Sequence, residues 1–440
     1  MDGDHTVMTL NLTQDQQEAY KKFLGFLLSD EKEFHLFGAA GCGKTFLIQH
    51  FITQGLKDYL KNIQVLGVKR KISTAYVTAT TNKAAALLQS KFCQVQTIFK
   101  LFNVSVSENY KTGETYLKEN DTPMIKNHLI FIDECSMLPK QMLKIIRANT
   151  FNCKIVYVGD NYQLAPVNER PMWDQTPTAT TAILSTPVRN KESQALVDLC
   201  AQLRETVDTK IFKPIKLVPG AIDKLDNDGL ANWLNTANFE TSRALSFTNK
   251  RALEYIHWVE QNRYARNDFL AEGQTYINNG LIKSNQGHCL YYPEEELKLL
   301  KMEPEVLTQY RQKDNRFYSY DFHTRKVDLI SNQTGLQKTV QICTRPNEFK
   351  AVLKQVAKDK DWLSYYDIKD RIGDLRLPYA STVHKSQGST FDEVVVDLES
   401  FEQCKSYSVA SRLLYVAVSR ARKKVYFYGN MPERFGSLVE

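Results

Sequence analysis

Short apolar runs alternate with amphipathic stretches along most of this chain. Residues 12–27 place Tyr20, Phe23, Leu24 and Leu27 on one face of a predicted helix, with Thr13 as its N-cap. Residues 34–37, Phe-His-Leu-Phe, read as a short buried strand, and beyond a glycine-rich segment Phe46, Leu47, Ile48, Phe51 and Ile52 recur at helical spacing. A second strand over 73–79 ends in Thr80-Thr81-Asn82-Lys83 and turns into a helix. Further strands are predicted at 128–132, 154–160 and 182–184. Strands alternating with helices over 34–184 argue a parallel sheet.

A second α/β series begins at 243–247, resumes at 379–383 and ends with strands at 393–398 and 424–428. Residues 271–372 interrupt it; they are rich in Tyr, Lys and Asn, with strands at 327–330 and 339–342 and a helix over 349–366. They read as an inserted accessory domain. Residues 103–120 alternate, carry few large aliphatics and have Lys111-Thr112-Gly113-Glu114 at their centre. They predict a small exposed hairpin, with a surface loop as the alternative. The expected organisation is a first lobe at 1–185 carrying the hairpin, a second lobe at 186–270 and 373–440, and the insertion at 271–372. Neither an internal repeat nor a low-complexity tract is evident.

Composition changes this picture little. A length of 440 residues, 42% hydrophobic and 24% charged, suits a soluble globular protein of two to four domains. There is no apolar run of membrane-spanning length, and the acidic Met1-Asp2-Gly3-Asp4-His5 start lacks a signal-peptide core, so an intracellular location is expected. The eight cysteines include no C-x2-C pair, which argues for reduced thiols rather than a zinc site. A net charge of +7 permits a polyanionic partner without requiring one.

The chemistry lies at the strand ends. Gly38-Ala39-Ala40-Gly41-Cys42-Gly43-Lys44-Thr45 fits G-x-x-x-x-G-K-[ST] between a strand and a helix. Its glycines let backbone N–H groups converge on phosphate oxygens, and the helix N-terminus adds positive potential. Lys44 would reach the β- and γ-phosphates of a nucleoside triphosphate, and the Thr45 hydroxyl would hold Mg²⁺. The strand at 128–132 runs into Asp133 and Glu134: the first acid would hold the metal, the second polarise the attacking water. Gln163 follows the next strand, where it could sense the γ-phosphate. Gln16 could read an adenine edge with one donor and one acceptor, or be an ordinary surface residue. Thr80, Thr81 and Asn82 could hold a nucleic-acid phosphate or simply cap the following helix. The second series has no glycine phosphate loop, so it is expected to lend residues to the first lobe's nucleotide.

Five segments then occur in a telling order: the loop at 38–45, Asp-Glu-Cys-Ser-Met at 133–137, Gly-Asp-Asn-Tyr-Gln-Leu-Ala-Pro-Val at 159–167, Val-His-Lys-Ser-Gln-Gly-Ser-Thr at 383–390 and Leu-Tyr-Val-Ala-Val-Ser-Arg-Ala-Arg at 414–422. In this the chain resembles superfamily 1 DNA helicases of the RecD and phage Dda branch, most of all the Dda type, over nearly its whole length. The resemblance implies two RecA-like P-loop lobes, the hairpin in the first, and a β-rich, SH3-like and helical insertion in the second. It implies ATP and Mg²⁺ as cofactors, Gln16 as the adenine reader, Arg189 and Arg420 as the arginines that reach the γ-phosphate, and Gln387 and Gly388 as nucleotide-side residues. For DNA it implies Thr80, Thr81, Asn82, Thr97, Thr248, Asn249, Thr382 and His384. The family carries proline where Thr80 stands, and Phe99, where it carries histidine, could stack on a base or pack in the core. Tyr110 or Tyr116 would supply the aromatic that splits the duplex. The implied function is 5′→3′ movement on single-stranded DNA with duplex unwinding, driven by ATP through lobe closure. The alternative is a translocase that displaces proteins without strong unwinding. Single-stranded DNA and single-strand/duplex junctions are the expected partners of a monomer, with replication or single-strand-binding proteins as further candidates and no membrane.

Overall fold

The computed structural model describes residues 12–66, 72, 74–89, 91–92, 94–109, 115–166, 169–186, 193–265, 270–311 and 319–439. It divides into two compact units, one formed by Met1–Phe102 with Thr122–Gln194, the other by Asn103–Asp121 with Ala195–Glu440.

The first unit is built on a six-stranded sheet in the order Thr180–Leu184, Glu33–Gly38, Lys154–Gly159, His128–Asp133, Thr74–Ala79, Val95–Thr97. Every neighbouring pair is parallel. Parallel strands need crossovers, which the helices supply, so both sheet faces are covered and the strands read as near-continuous apolar runs. That is why Leu129, Ile130, Phe131 and Ile132 are all fully buried. The helix Gln14–Leu28 packs its Phe23 ring flat against Phe51, with centroids 3.9 Å apart. Phe51 opens a π-helical segment, Phe51–Gly55, between Lys44–His50 and Leu56–Leu66. A Cβ on Gly55 would come within 3.0 Å of the Phe23 ring, so glycine is what admits the aromatic there.

His35 sits inside this sheet, 3% exposed. Its Nε2 lies 2.7 Å from the Thr176 hydroxyl and its Nδ1 3.2 Å from that of Thr181. Burial pushes the imidazole down to about 4, against a smaller upward pull from Glu33. The folded pKa lies below the ordinary 6.5, so the unfolded chain binds more protons between those values. This contribution is therefore present above pH 6.5 and lost as pH falls towards 4. Between pH 7.5 and pH 5 it should remove about 2 kcal/mol. Urea unfolding at the two pH values should show that loss, and His35→Gln should reduce the pH dependence by a similar amount.

The second unit holds a five-stranded sheet, Ile222–Leu225, Ala421–Tyr428, Phe391–Asp397, Ser242–Ser246, Ala380–Thr382, again parallel throughout. The edge strand Ile222–Leu225 lies outside the four predicted from sequence. Into this unit is set a largely antiparallel, seven-stranded sheet centred on the long strand Ser319–Ser331, which pairs with Glu296–Met302, Val306–Arg311 and Gln337–Cys343. The single helix expected over 349–366 is two, Pro346–Lys358 and Trp362–Arg371. The break falls at Lys360, whose φ is +56°, and at Asp361, whose carboxylate accepts from the Ser364 N–H and starts the second helix. Phe322, Phe349, Val356 and Ile368 form the core between helices and sheet. The hairpin pairs Val104–Glu108 with Thr115–Glu119, Tyr116 opposite Ser107. Among the described residues no helix is long and apolar enough to cross a membrane.

Candidate nucleotide and nucleic-acid site

Strand register brings the first-unit chemistry to one edge. Phe37 pairs with Gly159 and Ile132 with Tyr157, so the carboxyl ends of three adjacent strands lie side by side. The loop after the first holds Gly38 to Thr45, the second ends at Gly159 and leads to Gln163, and the third ends in Asp133 and Glu134. In open parallel sheets, this edge is where ligands bind.

Within the loop, Gly41 and Gly43 have φ of +86° and +79°, a region that suits glycine. A Cβ on Gly38 would lie 2.9 Å from the backbone oxygen of Leu184 on the neighbouring strand. The Lys44 ammonium donates to the carbonyls of Gly38 and Ala39 at 2.7 and 3.0 Å, which holds it over the loop. Cys42 is buried, and its carbonyl accepts from the Gln16 amide at 3.3 Å. Gln16 is 3% exposed, so it is no surface residue; its Oε1 accepts from the Thr13 N–H at 3.2 Å. The N-terminal helix and the loop are thus tied together through this one side chain.

Asp133 is half-buried at the end of its strand. Burial pushes its carboxyl above the ordinary range, while Lys44 pulls it down. Its Oδ1 accepts the Glu134 N–H at 2.9 Å. Glu134 itself is left-handed, φ +52° and ψ +40°, an uncommon conformation for a side chain of its size. Gln163 is 3% exposed, in a turn where the Asp160 carboxylate accepts from the Tyr162 N–H and the Asp160 carbonyl from the Gln163 N–H. Ala39, Ala40 and Thr45 complete the loop and the first helical turn. A carboxylate and a hydroxyl, Asp133 and Thr45, are hard oxygen donors of the kind Mg²⁺ takes alongside phosphate oxygens. Lys44 offsets only part of the upward push of burial on Asp133.

The second unit gathers Arg420, Gln387 and Gly388. Arg420 is 3% exposed, with its guanidinium donating to the carbonyls of Val416 and Ser389 and the Ser419 hydroxyl. The Ser389 bond ties it to the loop that carries Gln387 and Gly388, whose φ is +78°. Arg189 and Tyr110 lie outside the described residues.

The predicted DNA contacts divide by exposure. Thr81, Asn82, Asn249 and Tyr116 are exposed. Thr97, Phe99, Thr248 and His384 are half-buried, and Thr97 and Thr248 spend their side chains capping helices. Burial lowers the His384 imidazole below its usual value. Thr80 and Thr382 are buried, at 7% and 5%. Two cations not singled out in sequence stand beside these residues. Arg376 donates to the Asn249 amide oxygen at 3.2 Å, and Lys385 pairs with Glu294 at 3.3 Å and with Asn279. Both partners of Lys385 come from the insertion, so only the fold brings them together.

This arrangement defines a P-loop nucleotide-binding protein with a second α/β unit that carries no such loop. Residues 24–169 match the family model of an AAA domain, and residues 377–428 that of a UvrD-like helicase C-terminal domain. The ATP-dependent DNA helicase dda of Enterobacteria phage T4 is 22% identical over 95% of this chain and 99% of its own length. The ATP-dependent DNA helicase Pif1 of Campylobacter jejuni is 25% identical over 88% of this chain and 86% of its own. A stretch of 110 residues, 24% of this chain, is 45% identical to the RecBCD enzyme subunit RecD of Mycobacterium tuberculosis, over 18% of that protein. The chain is thus similar to DNA helicases of the Dda, Pif1 and RecD kind, at low identity over nearly its whole length and through a family model at each end.

Proposed function

We propose that this protein is an ATP-dependent DNA helicase that moves 5′→3′ on single-stranded DNA and unwinds the duplex ahead of it. The observation that carries the reading is the convergence of Lys44, Asp133, Glu134 and Gln163 at one edge of a parallel sheet. Polarity follows the helicase branch.

In the proposed cycle the loop N–H groups and Lys44 hold the β- and γ-phosphates, and Gln16 reads the adenine. Thr45 and Asp133 would hold Mg²⁺, which supplies positive charge to those phosphates when bound. Glu134 accepts a proton from water as its oxygen bonds to the γ-phosphorus; the bond from phosphorus to the bridging oxygen breaks, and ADP leaves with that electron pair. Gln163 senses the γ-phosphate, Arg189 and Arg420 offset its charge, and Gln387 and Gly388 line the nucleotide. Thr81, Asn82, Thr97, Thr248, Asn249 and His384 are the proposed strand contacts, with Phe99 beside them. Contacts to phosphate suit a motor because they carry no sequence information. The proposed domains are a first lobe, a second lobe, the hairpin and the insertion at 271–372.

ATP turnover measured with and without a single-stranded oligonucleotide tests the reading. Strong stimulation by DNA is expected; equal rates would contradict it. For the hairpin, the exposed Tyr116 is the proposed duplex-splitting aromatic. Loss of one stacked base contact is worth about 1–3 kcal/mol. Tyr116→Ala should therefore lower the unwinding rate about tenfold more than it lowers DNA-stimulated ATP turnover. A proportional fall in both rates would assign the tyrosine to strand binding instead.

A further inference from the structure

The parallel ladder between Thr74–Ala79 and His128–Asp133 ends with Ala79 opposite Asp133. Thr80 carries it one step further. Its N–H donates to the Asp133 carbonyl at 3.2 Å, and its hydroxyl donates to the Glu134 carbonyl at 3.0 Å. The same Glu134 carbonyl accepts from the Met137 N–H at 3.1 Å, which closes the short helical turn Cys135–Met137. Two donors, one from each side, thus clamp the peptide that follows Glu134. That residue needs such support, because its left-handed backbone is unfavourable for a side chain with a Cβ.

The next two residues face the other way. Thr81 is exposed, and its hydroxyl accepts from the Ala84 N–H at 3.1 Å to start the helix Asn82–Gln89. Asn82 is exposed beside it. A phosphate held by Thr81 and Asn82 would therefore act on backbone directly joined to Thr80, and Thr80 touches the residue that activates water.

We propose that Thr80 is a positioning residue: through its hydroxyl it fixes the backbone of Glu134, and through its peptide link to Thr81 it carries strand occupancy to the water-activating carboxylate. This rests on the motor function proposed above. Thr80 does not itself touch nucleotide or DNA in this account. Its effect lies in where the Glu134 carboxylate points, and small misplacements of a catalytic group are costly in rate.

Steady-state ATP turnover by the full chain, with an oligo-dT strand as the DNA probe, tests the proposal. Thr80→Val removes the hydroxyl and keeps the shape; Thr80→Ser keeps the hydroxyl. The valine variant should lose roughly five- to twentyfold in DNA-stimulated kcat, with the KM for ATP and the oligo-dT affinity within about twofold. The serine variant should stay within about twofold of the parent in all three. The proposal is overturned by an unchanged kcat in Thr80→Val, by an equal loss in Thr80→Ser, or by a loss that appears in KM alone. If Thr80→Val loses oligo-dT binding, Thr80→Ala is read in its place; loss of binding in both also overturns it. An active parent with indifferent variants sinks only this inference, whereas a parent without turnover sinks the motor reading itself.

Discussion

Glu134→Gln should lower DNA-stimulated ATP turnover by about 10²- to 10⁴-fold, the range that a positioned general base contributes. The amide cannot accept the proton of the attacking water, yet it nearly preserves the shape of the side chain. Binding should survive, because phosphate and metal are assigned to Lys44, Thr45 and Asp133, and the Asp133 carboxylate keeps its bond from the residue 134 N–H. Titration with a fluorescent ATP analogue and with labelled single-stranded DNA should give affinities within about threefold of the parent, beside a collapsed kcat. A variant that turns over at a quarter of the parent rate would remove Glu134 from the role of base.

The second large effect is expected at Arg420. An arginine that offsets charge on a transferring phosphoryl group is worth about 10³- to 10⁵-fold in kcat. Arg420→Ala should approach the lower end of that range in DNA-stimulated turnover. Arg420→Lys should recover little, since a single ammonium cannot replace a planar fork that already donates to Val416, Ser389 and Ser419. The Ser389 bond also ties Arg420 to the Gln387–Gly388 loop, so a folding defect must be separated from a chemical one. Retained binding of single-stranded DNA by Arg420→Lys, with kcat reduced at least a hundredfold, supports the chemical role. A lysine variant near parental activity would leave Arg420 as a structural cap of the helix Tyr407–Ser419.

The contrast between these residues shows what the chain declares locally and what it does not. The phosphate loop and the Asp133-Glu134 pair are contiguous, and each is preceded by a strand buried on both faces, so four to six apolar residues announce both the element and the chemistry at its end. The parallel sheets followed from the same signal. The insertion did not, because Ser319–Ser331 owes its 13-residue length to three partners spread over residues 296–343. Pairing at that range leaves little periodicity in any one segment. The helix break at Lys360 was hidden for a different reason: its sign is a single left-handed residue and an aspartate cap.

Site residues divide in the same way. Gln16 lies 26 positions before the Cys42 carbonyl it touches, and spacing alone left it undecided between surface and site. Thr80 read as a phosphate contact or a cap because it opens a Thr-Thr-Asn turn. Its burial against Asp133 and Glu134 comes from a neighbouring strand 54 residues away. The Arg376–Asn249 and Lys385–Glu294 pairs join segments 127 and 91 positions apart, which no local pattern encodes.

The most direct test of the central claim is unwinding of a duplex carrying either a 5′ or a 3′ single-stranded tail, with and without ATP and Mg²⁺. Strand separation is expected on the 5′-tailed substrate only, dependent on ATP and abolished by Lys44→Ala. Separation without ATP, equal action on both tails, or ATP turnover with no unwinding of either substrate would contradict it.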